Sequence, residues 1–256
     1  MNASSRVRIC LYYATLFLLD KTNKGRKKSV RLSEDVKKAF VDYLVISNGQ
    51  MTSGVASLKD NGVHGCDATA NDGTVTRTIL VWHIATTLCE HHLMDAHDRE
   101  DDAVRTASTL SRYCLHLLAF APNLLPDHSS ESEYMLDRTL DKASMLLEKV
   151  KKLESRCEEL MKYNTHDGDD GDEESLVKQG ARLARRLIDD IPETIFRWKV
   201  LSDFWAEMML YVSPCDDARA HLEALARGGE FITHIWVLLT HAGVLKRGPP
   251  RPRDVV

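Results

Sequence analysis

The chain lacks every strict local signature of catalysis or cofactor binding. Its 256 residues contain no nucleophile elbow, no P-loop, no dinucleotide-binding glycine motif and no H-E-x-x-H pair, which removes the reaction classes that depend on those arrangements. Charge of one sign is scarce: 34 basic and 38 acidic side chains leave a formal net charge of −4, so charge alone gives no reason to expect a nucleic-acid partner. Six cysteines, Cys10, Cys66, Cys89, Cys114, Cys157 and Cys215, are scattered without a C-x-x-C pair or a dense framework. That spacing argues against a zinc module or a disulfide scaffold, and the apolar helical surroundings of most of them read as buried, reduced thiols. Long apolar runs are missing too. The two longest, residues 9–19 and 231–243, fall short of the ~20 residues that cross a bilayer.

What is present is ordinary globular composition, 43% hydrophobic and 28% charged, enough for a sizeable core in one large domain or two small ones. The expected fold is all-α, an irregular bundle of about seven to eight helices over residues 32–245. A long Gly, Asn, Ser and Thr-rich connection is expected near 47–77 with a short turn around Thr52–Leu58, and an acidic loop near 164–174. Residues 246–256, with three prolines, read as a disordered tail.

The helices follow from periodicity and punctuation. Ser33 caps a helix with acids in its first turn and Val36, Phe40 and Leu44 on one face. Thr78–Asp95 reads as a largely apolar helix, and Asp102–Ala121 as an amphipathic one stopped before Pro122. Leu136, Leu140, Ala143, Leu147, Val150, Leu153, Cys157 and Leu160 form a single stripe over about three heptads, read as core-facing, with a coiled-coil seam as the alternative. Leu176–Asp190 places Lys178, Arg182, Arg185 and Arg186 opposite its leucines, and that basic face reads as solvated. Thr194–Val212 is dense in aromatic residues, a stripe that belongs in a core. The final helix lies between Gly228-Gly229 and Gly243, with Phe231, Ile235, Leu238 and Ala242 expected on one face and burial on more than one side.

Five polar residues in these apolar helices form the candidate site: His83 and Glu90, and Glu230, His234 and His241. His83 and Glu90 lie seven positions apart, about 10.5 Å along a helix, too far to hold one small metal together. The same spacing separates His234 from His241, so a metal needs ligands from a second helix, such as His83 meeting His241 across the bundle. A satisfied histidine is the plainer reading. The run Cys89-Glu90-His91-His92 with His97 has the wrong spacing for paired ligands, and His166-Asp167-Gly168-Asp169-Asp170-Gly171-Asp172-Glu173-Glu174 fits no EF-hand register. No cofactor and no catalytic residue is expected.

Ahead of the body, Ile9–Leu19 is apolar and is followed by Lys21, Lys24, Arg26, Lys27, Lys28 and Arg31 without an acid between them. Three readings stay open for residues 1–31: a helix packed on the domain, an interfacial anchor facing anionic lipid, and a secretory signal core.

The stretch RWKVLSDFWAEMMLYVSP, with HLEALARGGEFITHIWVLLTHAG after it, resembles a plant family, the domain of unknown function numbered 594. The internal clauses SNGQMTSGVASLKDNG, ILVWHIATTLCE and LSRYCLHLLAFAPNLLP resemble the same family. The resemblance implies a C-terminal module that usually follows a multi-pass membrane domain, itself of unknown function and numbered 4220. It implies a place in the cytoplasm or on the cytoplasmic side of a membrane, and action through an unidentified protein partner or an anionic membrane surface. It brings no established activity.

Overall fold

The computed structural model describes residues 34–46, 51–66, 73–92, 101–150, 152–162, 175–214, 218–226 and 230–244. Residues 1–31 with their six cations, the acidic run 166–174, Cys10, His97, Cys215, Gly228-Gly229 and the tail 246–256 lie outside them. Among the described residues the protein is all-α, with ten α-helices against the seven to eight expected. They are α1 (Glu34–Ile46), α2 (Val55–Asp60), α3 (Val75–His91), α4 (Asp102–Phe120), α5 (Ser129–Leu146), α6 (Leu153–Leu160), α7 (Leu176–Asp190), α8 (Thr194–Val212), α9 (Ala218–Ala226) and α10 (Phe231–His241).

Two segments account for the surplus. Inside the expected loop the chain forms α2, because Gly54 at φ 95° turns it into a helix that a residue with a Cβ would enter only under strain. The stripe from Leu136 to Leu160 is not one helix: α5 ends at Leu146, a turn follows with Val150 N–H donating to Leu147 O at 3.0 Å, and Arg156 Nε donates to Val150 O at 2.6 Å. Ala143, Leu147, Cys157 and Leu160 are all buried nonetheless. Apolar spacing therefore records which side chains reach the core, and it survives a break in the helix that carries them.

The helix at α3 begins at Val75 rather than Thr78 because its first turn is capped twice. Thr74 Oγ1 accepts from Arg77 N–H at 3.3 Å, and the Asp127 carboxylate accepts from Val75 and Thr76 N–H at 3.3 and 2.6 Å. From there α3 runs through the middle of the molecule with α7 on one side and α4 on another, while α4 in turn packs on α8. At the α3–α7 crossing the two backbones come so close that a Cβ on Gly180 would sit 2.6 Å from Ile84 Cβ and 3.0 Å from Val81 O. The helices α1 and α2 cover α8 from outside, and α5 touches α3, α4 and α7.

The core is aromatic where α3, α8 and the α2 entry meet. Trp82 and Phe204 stack with ring centroids 3.7 Å apart, Trp205 meets Phe204 edge-on, and Trp205 Nε1 donates to Thr86 Oγ1 at 2.9 Å. Trp82, Trp198 and Trp205 are fully buried, each contributing on the order of 3 kcal/mol of apolar burial. The aromatic stripe of α8 is thus core, as its composition predicts. All four described cysteines are buried, and burial pushes the Cys89 and Cys157 thiols up to about 12. No helix among the described residues is long and apolar enough to cross a membrane.

The last helix departs from expectation. Gly243 does stop it, with φ 80°. Its buried positions, however, are Phe231, Ile232, Thr233, Ile235 and Leu239, whereas Leu238 and Ala242 face solvent with His234 and His241. Four-residue steps from Phe231 outrank the mixed steps read from the sequence because Phe231 is anchored, its ring 5.3 Å from Phe40 and 5.8 Å from Tyr113. That anchor fixes the rotation of α10: its first turn is buried on more than one side, as expected, and the rest on one side only.

Candidate functional site

The polar residues of α3 are turned toward α4. His83 is buried and its Nδ1 lies 2.8 Å from Ser111 Oγ. Removal from water, reinforced by the positive charge of Arg112, holds the imidazole down to about 3, so it is neutral at physiological pH. Two turns further on, both oxygens of Glu90 take one arm of the next α4 residue: Arg112 Nη2 donates to Glu90 Oε1 at 2.7 Å and to Oε2 at 2.6 Å. Both groups therefore serve the α3–α4 seam.

The other three candidates lie on α10. Glu230 occupies its N-cap position, where Tyr113 OH approaches Glu230 Oε2 at 3.4 Å and accepts from Ile232 N–H at 3.0 Å. Burial, followed by the charge of Glu230, drives the Tyr113 phenol well above its ordinary value, so it stays a hydrogen-bonding group rather than a proton source. His234 and His241 stand on the solvent face of the same helix. His83 is thus placed in the α3–α4 seam and His241 on the outer surface of α10. Among the described residues no group of three His, Cys, Asp or Glu side chains is gathered within reach of one metal ion.

A polar centre that the sequence reading passed over is Glu207, on α8 and fully buried. Its Oε1 accepts from Thr52 N–H at 2.8 Å and Thr52 Oγ1 at 2.6 Å, and its Oε2 accepts from Ser57 N–H at 2.8 Å. Tyr43 OH on α1 also bonds to it, and burial together with that carboxylate raises the Tyr43 phenol far above the usual range. A carboxyl group with this many donors around it acts as a staple, tying α1 and the start of α2 onto α8. One signal for it was visible in the sequence: Glu207 is the only charged residue in the apolar run from Phe204 to Val212.

Above Glu207 opens a groove of about 490 Å³ edged by Lys38, Asp42, Asp60, Asp102, Lys199 and Asp203. Two of its charges meet each other: Lys199 Nζ donates to Asp203 Oδ2 at 2.6 Å and to Asn61 Oδ1 at 2.9 Å, and Asn61 Nδ2 donates to the same Asp203 oxygen at 2.9 Å.

Of the basic side chains of α7 expected to be solvated, Arg186 is exposed and Arg185 half-buried, and both bond to carbonyls elsewhere in the chain. Arg185 Nη2 donates to Met161 O at the end of α6, and Arg186 Nη1 donates to Gly65 O at 3.1 Å.

The architecture defines an all-α protein built on two buried helices, α3 and α8, with α9 and α10 following α8 in the chain. Its last three helices fall within a family match: residues 191–244 are similar to the family described as "Protein of unknown function, DUF594". The match confirms the resemblance carried by the RWKVLSDFWAEMM stretch and covers α8, α9 and α10. No curated protein and no solved structure matches the chain.

Proposed function

We propose that the protein is a non-enzymatic helical interaction module, derived from a plant multi-pass membrane-protein family and acting on the cytoplasmic side through contacts with a protein partner. The observation that carries this reading is a division of labour between inside and outside. The buried His83 and Glu207 and the half-buried Glu90 each hold neighbouring helices together, while α9 and α10 of the DUF594 segment keep leucines in solvent. Leu222, Leu225 and Leu238 are 59%, 37% and 49% exposed. Exposed leucines on an anchored helix pair suit docking better than chemistry. The pair is rigid enough to present them: the buried His221 ring stacks on Trp236 at 4.7 Å with planes 3° apart. The basic residues Lys21 to Arg31 supply, on this reading, a secondary attraction to anionic lipid of about 1 kcal/mol per cation.

A photo-crosslinking residue placed at position 222 or 238 in cells tests the reading. One discrete adduct, lost when Leu225→Asp is added, is the expected result. Absence of any adduct would sink it, and so would stoichiometric zinc or iron in the purified protein.

A further inference from the structure

The groove above Glu207 lies among four helices, with Asp42 on α1, Asp60 at the end of α2, Asp102 at the start of α4 and Asp203 on α8 along its edges. Its volume of about 490 Å³ falls within the ~300–1,000 Å³ of pockets that take small-molecule ligands. The lining is polar apart from Ala103 and the Tyr43 ring, so a hydrocarbon or flat aromatic ligand finds no matching wall. Two of the carboxylates are spent inside the protein, Asp203 on Lys199 and Asp102 on Arg105 of its own helix. Asp42 and Asp60 are exposed and make no hydrogen bond or ion pair among the described residues. Lys38 is likewise unpaired, and four carboxylates face two lysines across the opening. The floor has the same sign: burial, and after it the charges of Glu207, Asp60 and Asp203, raises the Tyr43 phenol far above its ordinary range. A cleft with this excess focuses a negative potential on its interior.

Acidic side chains alone would mark only a solvated rim. Beneath them, however, Thr106 and Ser202 line the groove at 2% and 8% exposure, and neither hydroxyl has a hydrogen-bond partner among the described residues. A hydroxyl inside a helix commonly turns back to the carbonyl four residues earlier, as Thr86, Thr139 and Ser213 do. Thr106 and Ser202 do not, and a buried hydroxyl left open to a groove costs stability unless an occupant meets it. The carboxylates also stand apart from one another. Among the described residues no three His, Cys, Asp or Glu side chains come within reach of one metal ion. A point cation therefore finds no cage here, whereas charges distributed along a chain can meet the carboxylates in turn.

We propose that this groove binds an aliphatic polyamine, its ammonium groups held by Asp42 and Asp60 at the rim and by the Thr106 and Ser202 hydroxyls beneath. Ammonium groups are donors without acceptors, and the carboxylates and hydroxyl oxygens accept from them. A free amino acid would engage Lys38 and one carboxylate and leave most of the groove unfilled. The smaller cavity of about 90 Å³ between α3, α5 and the start of α7 is lined instead by Arg77, Arg138 and Lys142, so it repels the polycation that the groove attracts. The site uses none of the exposed leucines of α9 and α10, and it stands or falls independently of them.

The full chain and its Asp42→Asn/Asp60→Asn variant, both positions being exposed, are titrated calorimetrically with spermidine, with magnesium chloride at matched ionic strength and with an oligolysine peptide. Saturable spermidine binding that magnesium does not displace, weakened roughly tenfold or more in the double variant, supports the site. Thr106→Val, which removes the hydroxyl and nearly keeps the shape, is expected to weaken spermidine binding by a smaller factor without lowering the thermal midpoint. If spermidine does not bind, binds the double variant as it binds the wild type, or yields to magnesium at the same ionic strength, the proposal is wrong. Binding of oligolysine without binding of spermidine would also overturn it, and would make the groove a landing place for a basic segment of a protein partner.

Discussion

Glu207 and the Arg77–Arg138–Lys142 cavity place charge in opposite ways. At Glu207 one carboxylate is fully buried and surrounded by donors from Thr52, Ser57 and Tyr43, all belonging to the protein itself. In the cavity three cations and an uncapped serine hydroxyl line a space with no carboxylate among the described residues facing it. The first arrangement is complete, and its effect is to fasten helices together. The second gathers charge of one sign at the surface, where Arg138 and Lys142 are exposed.

The contrast can be broken from the structural side first. Glu207→Ala leaves several buried donors without an acceptor and opens a hole beneath α2, so a loss of about 3–5 kcal/mol is expected in urea unfolding. A loss below about 1 kcal/mol would mean that water replaces the carboxylate and that it is no staple. Gly54→Ala attacks the same corner from the backbone: the left-handed φ and a Cβ only 2.1 Å from Phe204 Cε2 predict about 3 kcal/mol. An unchanged midpoint would show that Phe204 moves aside freely.

A smaller effect concerns His83. Its folded value of about 3 lies below the ordinary histidine value, so as pH falls the unfolded chain takes up the proton first. The stability this neutral histidine contributes is therefore complete above about pH 6.5 and lost progressively toward pH 3. Between pH 7 and pH 5 the loss is about 2 kcal/mol, and His83→Gln is expected to flatten the stability profile by that amount. A parallel profile in the variant would refute the buried neutral state. The smallest effect belongs to the cavity: Arg138→Gln with Lys142→Gln is expected to leave thermal stability within about 0.5 kcal/mol, because both side chains are exposed. A large destabilisation would move them into the same class as Glu207.

The parts of this picture legible from sequence were local ones. The ends of α8 at Thr194 and Val212 and of α7 at Leu176 and Asp190 were readable because prolines and polar breaks bracket strong patterns there. His83 and Glu90 stood out as polar exceptions in an apolar helix, yet Ser111 and Arg112, their partners, lie more than twenty residues away in sequence, and nothing in either helix pattern pairs them. Glu207 broke its pattern in the same manner and went unremarked beside the aromatic residues. Arg77, Arg138, Lys142 and Ser175 carried no signal at all, since a cation on an amphipathic helix looks the same whether it faces water or a cavity.

By itself the sequence determined that the chain is helical, that the aromatic stripe of α8 makes core and that residues 191–244 resemble the DUF594 family. Those properties depend on periodicity, side-chain chemistry and similarity, which are written residue by residue. Only the tertiary structure decided which face of α10 is buried, that the stripe from Leu136 to Leu160 is divided between two helices, and which charges meet a partner. The physical reason is that rotation about a helix axis and the pairing of distant polar groups are fixed by contacts between elements, such as Phe231 against Phe40 and Tyr113 or Glu207 against Thr52 and Ser57, and no local pattern encodes those distances.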